Sequence, residues 1–245
     1  MASKNEIETI KKLANQGKSV NTIKNKLELP KSTVYYHFRK EVGQKQKEKQ
    51  ISIPQDQDFK GELCGLFAGD GGFQKDKNGS YRIRFYLNYN YRYWTLLANY
   101  LEKRLSKQPN IYKNPRSSKT ILNYCSKKLY KFLRSNLWWE KDKTSSICLK
   151  PEKDFSRNFK TGFLRGFIDT DGYRRPDHKR YVFTSASDDL IKNTSNILTS
   201  LGIQNTSFNE EDERGYMTKH KIRITGEDVD KFNSKIKPRN PKRRY

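Results

Sequence analysis

The sequence predicts an α+β protein with two similar halves, preceded by a small all-helical domain. Three observations support this class. A glycine-rich apolar segment at residues 61–71 recurs at residues 162–172. Strands of alternating polarity follow each copy, and residues 5–41 contain short helical patterns without strands. Each half is predicted to run helix, two strands, helix, two strands, helix.

The composition indicates a folded protein with a polyanionic partner. The 245 residues include 51 Lys and Arg against 27 Asp and Glu, which gives a net charge of +24, and the aromatic content is 13%. The aromatic residues and periodic segments argue against wholesale disorder. Because the basic residues are spread through the chain, nucleic acid is the expected partner and a membrane surface comes a distant second.

The three cysteines are widely spaced without a C-x-x-C pair, and the three histidines are equally scattered, so no zinc site is predicted. The sequence also lacks a signal-peptide pattern and a long apolar run. We therefore expect an intracellular protein, in the cytoplasm or on the nucleoid, with an organelle or the nucleus as alternatives, and no association with a membrane.

Residues 1–42 form the predicted front domain. Ser19 caps its second helix and Pro30 opens its third. The segment SVNTIKNKLELPKSTVYYHFRK resembles helix-turn-helix modules, although Lys24 and Glu28 replace the usual small residue and turn glycine. A helical bundle for protein contacts is the alternative. The residues expected to face DNA are Lys31, Ser32, Thr33, Tyr35, Tyr36 and Arg39. Residues 43–58, rich in Gln and Lys, are predicted to be a flexible linker.

The repeated segments are GELCGLFAGDGG, from Gly61, and GFLRGFIDTDGY, from Gly162. Each has small residues at four-residue spacing on one helix face, and interior glycines cost about 1 kcal/mol each relative to alanine. That cost indicates close approach of two backbones. The small residues expected at this helix interface are Gly61, Gly65, Gly162 and Gly166.

Packing the two helices in this way brings Asp70 and Asp171 together at two helix C-termini. Carboxylates there repel each other and the helix dipoles, and a divalent cation between them makes the arrangement favourable. Oxygen ligands select Mg²⁺ or a similar hard ion. The alternative is two independent turns after two core helices.

LCGLFAGDG and LRGFIDTDG resemble the paired motifs of single-chain LAGLIDADG homing endonucleases, and the similarity extends over roughly residues 59–240. The resemblance implies two pseudo-symmetric halves, residues 59–150 and 151–245, that form a DNA-binding saddle. It implies that Asp70 and Asp171 bind the catalytic metals, and the metal site is expected to include Gly69 and Thr170. The first acid of the motif is present as Asp169 and replaced by Ala68 in the first copy.

The polar strand faces are expected to bind DNA, because the major groove accepts a two-stranded ribbon between walls of phosphate. The candidates in the two halves are Lys75, Arg82, Arg84, Tyr86, Asn88, Arg174, Arg175, Arg180, Lys219 and Lys221. The family has a basic residue near each scissile phosphate. Alignment places Arg223 there in the second half and Asn123 in the first, where Lys119 is the expected substitute.

The C-terminal KIKPRNPKRRY is predicted to be a solvated, phosphate-contacting tail, with a nuclear localisation patch as the alternative.

Together these features predict a monomeric, site-specific DNA endonuclease of the homing type that uses Mg²⁺ or Mn²⁺ and cuts both strands of double-stranded DNA. The alternatives are a non-cleaving transcription regulator on the same scaffold and a maturase that binds intron RNA.

Overall fold

The computed structural model describes residues 2–42, 51–76, 79–88, 91–113, 119–175, 179–211 and 217–243. The chain divides into two compact units, residues 1–50 and 51–245. The first unit is helical and the second combines helices with antiparallel sheets. The predicted α+β class is therefore confirmed.

The first unit contains helices α1 (Lys4–Asn15), α2 (Val20–Leu27) and α3 (Lys31–Val42). The Ser19 side chain caps α2 by accepting a hydrogen bond from the Thr22 backbone at 3.2 Å. Glu28 ends α2 in the left-handed conformation, with φ of 53°. The helices bury a small apolar core of Ile10, Ala14, Ile23 and Val34.

The second unit begins earlier than the sequence predicts. Ile51 is buried in its hydrophobic core, and the Ser52 amide donates to the Leu105 carbonyl at 2.9 Å. The Asp56 carboxylate caps the next helix by accepting from the Asp58 backbone at 2.9 Å. The linker prediction is therefore wrong for residues 51–58, because one apolar and one capping residue tie them to the unit. Residues 43–50 lie outside the described residues.

Each half of the second unit follows the predicted order of elements. The first half comprises α4 (Gln57–Ala68), β1 (Gly71–Lys75), β2 (Tyr81–Asn88), α5 (Tyr91–Leu105), β3 (Asn110–Lys113), β4 (Lys119–Cys125) and α6 (Lys127–Asn136). A short connection then holds β5 (Leu137–Trp138), α7 (Lys143–Ser146) and β6 (Cys148–Leu149). The second half comprises α8 (Arg157–Asp171), β7 (Gly172–Arg175), β8 (Arg180–Ser185), α9 (Asp188–Ser200), β9 (Thr206–Glu210), β10 (Lys219–Thr225) and α10 (Glu227–Ile236).

The two four-stranded sheets have the same topology. Their strand orders are β1-β2-β4-β3 and β7-β8-β10-β9, and every neighbouring pair is antiparallel. Phe85 lies opposite Leu122 in the first sheet, and Phe183 lies opposite Ile222 in the second. Positions in β4 therefore correspond to positions in β10 at an offset of 100 residues. This register confirms that Asn123 and Arg223 are equivalent.

Helices α4 and α8 pack with their backbones in contact along the glycine faces. A Cβ built on Gly61 would lie 1.9 Å from the Phe159 carbonyl oxygen, and one on Gly162 would lie 1.8 Å from the Asp58 carbonyl oxygen. The corresponding distances at Gly65 and Gly166 are 2.1 Å and 2.2 Å, again to backbone oxygens. All four glycines are buried. Glycine is therefore required at this interface by steric exclusion.

A buried charged cluster supports the same interface on its polar side. The Arg165 guanidinium of α8 donates to both carboxylate oxygens of Asp58 in α4, at 2.5 and 3.1 Å, and to Glu62 at 3.3 Å. Arg239 also donates to Glu62 and packs over the Tyr100 ring, 3.9 Å from its centroid. Glu62 is thus paired from two sides, which offsets the cost of burying its charge.

The segment after α10 folds back onto α8. Asp169 accepts hydrogen bonds from the backbone amides of Arg239 and Asn240, each at 3.0 Å, and Asn240 is buried. A single 3₁₀ turn, Pro241–Arg243, follows. The prediction of a solvated tail is therefore wrong for residues 238–243, because the buried Asp169 carboxylate holds two of their amides.

The close approach of α4 and α8 predicts that Gly65→Ala is strongly destabilising. The new methyl group would overlap the Phe163 carbonyl oxygen, which belongs to a rigid helix backbone. Overpacking costs about 1–3 kcal/mol, and each kcal/mol corresponds to about 2–4 °C in a domain of this size. Circular dichroism melting should show a fall of about 2–12 °C.

Gly72→Ala is the control for that substitution, because its nearest neighbour is the Tyr86 ring at 2.7 Å, a side chain that can rotate. We expect a smaller loss for this variant. Equal melting temperatures for Gly65→Ala and the wild type would contradict backbone contact between the two helices.

Candidate metal centre and nucleic-acid interface

The adjoining ends of α4 and α8 bring the two predicted acids into one cavity. A Cβ on Gly69 would lie 2.1 Å from Thr170 Oγ1 and 3.2 Å from the Asp171 carboxylate carbon. Asp70 and Asp171 both line a cavity of about 480 Å³, together with Tyr86, Lys119 and Lys143 among other residues. The glycine-mediated packing therefore places the carboxylates side by side.

Both carboxylates have raised pKa values. Burial raises the pKa of Asp70 to about 6. Burial also raises the pKa of Asp171 to about 7, and the charge of Asp70 adds to that shift. Lys143 and Arg243 act in the opposite direction on both acids, and Lys119 does so on Asp70. The acids therefore repel each other and have cations of the chain nearby.

Lys143 is the cation that contacts the end of α4 directly. Its ammonium donates to the carbonyl oxygens of Phe67, Ala68 and Gly69 at 3.0, 2.8 and 3.1 Å. Burial lowers the pKa of Lys143 to about 8, while Asp171 and Asp70 raise it. No sequence motif marks Lys143, because it lies in the connection between the halves and outside both repeated segments.

The residues present suit a hard divalent cation. The predicted ligands are the Asp70 and Asp171 carboxylates with the carbonyls of Gly69 and Thr170, which is an all-oxygen set of the kind that Mg²⁺ and Mn²⁺ accept. Burial is the main cause of the raised pKa values of both acids, so their charged forms lack the solvation that a bound cation would replace. Within the described part of the chain, no group of three or more His, Cys, Asp or Glu side chains is arranged to hold a metal. Water or substrate oxygens would complete the coordination.

The two predicted basic residues occupy different places. Lys119, at the start of β4, lines the cavity of the two acids. Arg223 lies further along β10 in a second cavity of about 420 Å³, where its guanidinium is 5.5 Å from the centroid of the Phe208 ring. The structure therefore brings Lys119, and not Arg223, to the acid pair.

The predicted DNA-facing residues of the first sheet follow the expected alternation. Ile83, Phe85 and Leu87 are buried. Arg82, Arg84 and Tyr86 alternate with them and are partly exposed. Arg82 pairs with Asp76 at 2.6 Å, Lys75 lies at the exposed end of β1, and Tyr86 reaches the acid cavity. The side chain of Asn88 lies outside the described residues.

In the second sheet, Arg175, Arg180 and Lys221 line the same cavity as Arg223. Lys221 pairs with Glu210, so one of these cations already has an acidic partner. Arg174 and Lys219 are partly exposed. The basic residues therefore extend along the strands on the open side of the sheet.

In the front unit, the predicted contact residues of α3 lie around its buried Val34. Tyr35 and Tyr36 are 47% and 62% exposed. Lys31, Ser32 and Arg39 are also exposed, and Thr33 is partly exposed. Arg39 lies over the Tyr35 ring, 5.4 Å from its centroid. The helix thus presents two aromatic rings and three cations, Lys31, Arg39 and Lys40, to solvent.

Comparison with known proteins places this architecture in a recognised class. Residues 158–237 match the model of the LAGLIDADG-like domain. The second unit's mixed α and β architecture, with its antiparallel sheets, is the LAGLIDADG fold. No curated protein sequence matches the chain. None of the described helices is both long and apolar enough to span a lipid bilayer.

Two of the similar solved structures are of the homing endonuclease I-DmoI. The complex of I-DmoI with DNA and Mn is 20% identical to this chain, with a TM-score of 0.56, and the match covers 74% of this chain and 97% of the other. A variant of I-DmoI with its target DNA and 2 mM Mg is 22% identical, also with a TM-score of 0.56, covering 74% and 96%. Full-length DUF199/WhiA from Thermatoga maritima is 18% identical, with a TM-score of 0.53, covering 76% of this chain and 57% of the other.

The raised pKa values predict that the acid pair lowers stability at neutral pH without metal. Unfolded carboxylates lose their protons near pH 4, whereas the folded Asp70 and Asp171 retain theirs up to pH 6–7. The unfolded state therefore binds fewer protons in this range, and stability falls as the pH rises from about 4 to 7. Asp171→Asn should make stability depend less steeply on pH in this range. At pH 8 in EDTA it should melt about 2–4 °C higher, as expected for removing about 1 kcal/mol of repulsion.

Differential scanning calorimetry of the wild type and Asp171→Asn measures this effect, with the exposed Asp154→Asn as the control. Mg²⁺ should shrink the gap between wild type and variant, because an ion bound only by the folded state stabilises the wild type. A lower melting temperature for Asp171→Asn than for the wild type in EDTA at pH 8 would show that Asp171 is a satisfied structural residue.

Proposed function

We propose that this protein is a divalent-metal-dependent endonuclease that hydrolyses phosphodiester bonds in both strands of double-stranded DNA. The observation that carries the proposal is the acid pair. Asp70 and Asp171 line one cavity at the ends of two helices that approach through glycine. The same fold occurs in a homing endonuclease and in WhiA, so the fold alone does not identify the activity of this protein. The paired acids support endonuclease activity.

Different residues of this chain would serve metal binding, charge stabilisation and DNA binding in phosphodiester hydrolysis. Asp70, Asp171 and the carbonyls of Gly69 and Thr170 would hold Mg²⁺ or Mn²⁺, which would supply an activated water and stabilise the leaving oxygen. Lys119 lines the same cavity and is placed to screen the negative charge that develops on the phosphate. The basic residues of both sheets would hold the duplex through its phosphates and fix its register. Arg223 contributes to this binding surface rather than to the chemistry.

We propose a single-chain protein with two motifs that acts as a monomer, because one chain supplies both acids. A homing role, associated with an intron, follows from the likeness to I-DmoI. A DNA substrate in turn implies an intracellular location.

The front unit is proposed to be a helix-turn-helix domain that adds DNA contacts, since α3 presents exposed cations and aromatic rings.

A non-cleaving DNA-binding regulator and an RNA-binding maturase are the alternative functions. Both would use the basic surfaces, and neither requires two desolvated carboxylates in one cavity. Cleavage is favoured because burial and mutual repulsion make the pair costly to keep. A cleavage selection on a randomised duplex library, with Mg²⁺ and with EDTA, separates the three functions.

We expect the wild type to cut both strands of the selected duplex only with a divalent ion. Asp70→Asn and Asp171→Asn should each reduce cleavage by at least about 1,000-fold, because a metal ligand contributes several kcal/mol to the transition state. DNA binding, measured by fluorescence anisotropy, should change by less than about threefold. The exposed Asp154→Asn is the matched control. A variant of either acid that cuts at the wild-type rate would overturn its assignment.

The proposed role of the front unit predicts a change in salt dependence. Lys31→Ala combined with Arg39→Ala removes two exposed cations of α3. Each lost phosphate contact should reduce the slope of log K against log salt concentration by about 0.9 for duplex DNA. Lys12→Ala, on the exposed surface of α1, is the control. An unchanged affinity and slope in the double variant would favour a protein-binding role for this unit.

A further inference from the structure

Each half delivers a basic residue to the acid pair from the segment that follows its last helix. Helices α6 and α10 have equal lengths and begin at Lys127 and Glu227. At the same offset of 100 residues, Lys143 corresponds to Arg243. Both residues interact electrostatically with Asp70 and Asp171. The correspondence was not visible in the motifs, because it lies outside them.

The Lys143 ammonium occupies the C-terminal end of α4. This ammonium has three donors, and it donates to three successive carbonyls of the last turn, those of Phe67, Ala68 and Gly69. Those carbonyls lack partners within the helix and carry its negative partial charge, so a compact cation there is stabilising. The Asp142 carboxylate fixes the start of the lysine's short helix by accepting from the Thr144 amide at 3.1 Å.

Arg243 is held differently. The Tyr181 hydroxyl donates to its backbone carbonyl, and its own amide donates to the Asn240 carbonyl at 2.8 Å. The Nε atom of its partly buried side chain has no hydrogen-bond partner. The chain therefore holds the backbone of Arg243 by two hydrogen bonds, and its charge interacts electrostatically with both acids.

We propose that Lys143 is a resident cation of the site, with Arg243 as its counterpart from the second half, and that a divalent ion must compete with Lys143 at the α4 end. The inference rests on the proposed function, because it takes the Gly69 carbonyl and Asp70 as metal ligands. The ammonium already uses the Gly69 carbonyl, at 3.1 Å. Its positive charge also opposes a divalent ion beside Asp70. Lys143 is therefore a positioning residue that holds the α4 end in the absence of metal and weakens metal binding there.

The test is Mn²⁺ binding to the full-length protein without DNA, measured by electron paramagnetic resonance and calorimetry. Lys143→Gln keeps donors for the carbonyls and removes the charge, and it should bind Mn²⁺ at least about fivefold more tightly than the wild type. Lys143→Arg keeps the charge and should stay within about twofold of the wild type. Lys141→Gln changes an exposed lysine of the same segment and is the matched control.

Thermal melting in EDTA supplies the second readout. Lys143→Gln should melt lower than the wild type, because Asp70 and Asp171 lose a counter-ion, and Mn²⁺ should raise its melting temperature by more than it raises that of the wild type. Equal or weaker Mn²⁺ affinity in Lys143→Gln overturns the inference. If this variant does not fold, a Lys143→Arg protein that binds Mn²⁺ more than fivefold tighter would also overturn it. Failure of the wild type to cleave duplex DNA would overturn the proposed function instead, and the two results are obtained separately.

Discussion

The architecture of the second unit depends on direct backbone contact between α4 and α8. Four glycines at four-residue spacing allow carbonyl oxygens of one helix to lie where any larger residue of the other would place its Cβ, at 1.8–2.2 Å. This contact fixes the relative position of the two sheets, since each sheet continues from the end of one of these helices. It also forces the two helix C-termini, and the acids that follow them, into one place.

The close contact of α4 and α8 brings several carboxylates together, and their surroundings differ between the two ends of the helices. Near their N-terminal ends, Asp58 and Glu62 of α4 pair with Arg165 of α8, and Arg239 adds a second partner for Glu62. At their C-terminal ends, burial raises the pKa values of Asp70 and Asp171, and the charge of Asp70 adds to the shift of Asp171. Paired charges thus lie on one part of the helix pair, and the two buried acids of the cavity lie at its C-terminal end.

The motifs were sufficient to predict the helix interface and the meeting of Asp70 with Asp171, because glycine spacing and strand alternation are local signals. The sequence did not indicate Lys143, whose role depends on a connection that folds back over a distant helix end. It also predicted Arg223 beside a scissile phosphate, and the structure places Arg223 in a different cavity from the two acids. The linker and tail predictions failed at residues 51–58 and 238–243 for a related reason. Each of these segments has few apolar residues, and a single buried contact fixes it to the second unit. That contact is the Ile51 side chain in the first segment and the Asp169 carboxylate in the second.

Asp169 and its counterpart Ala68 show how the two halves use different chemistry at the same position. In the second half, Asp169 is buried and holds the amides of Arg239 and Asn240. In the first half Ala68 has no carboxylate, and Trp139, in the segment after α6, packs with its ring 5.2 Å from that of Phe67. An aromatic contact needs no buried charge, so the first half avoids a desolvation cost that the second half bears. The segment that contains Trp139 continues to Lys143, whose ammonium donates to the carbonyls at the end of α4.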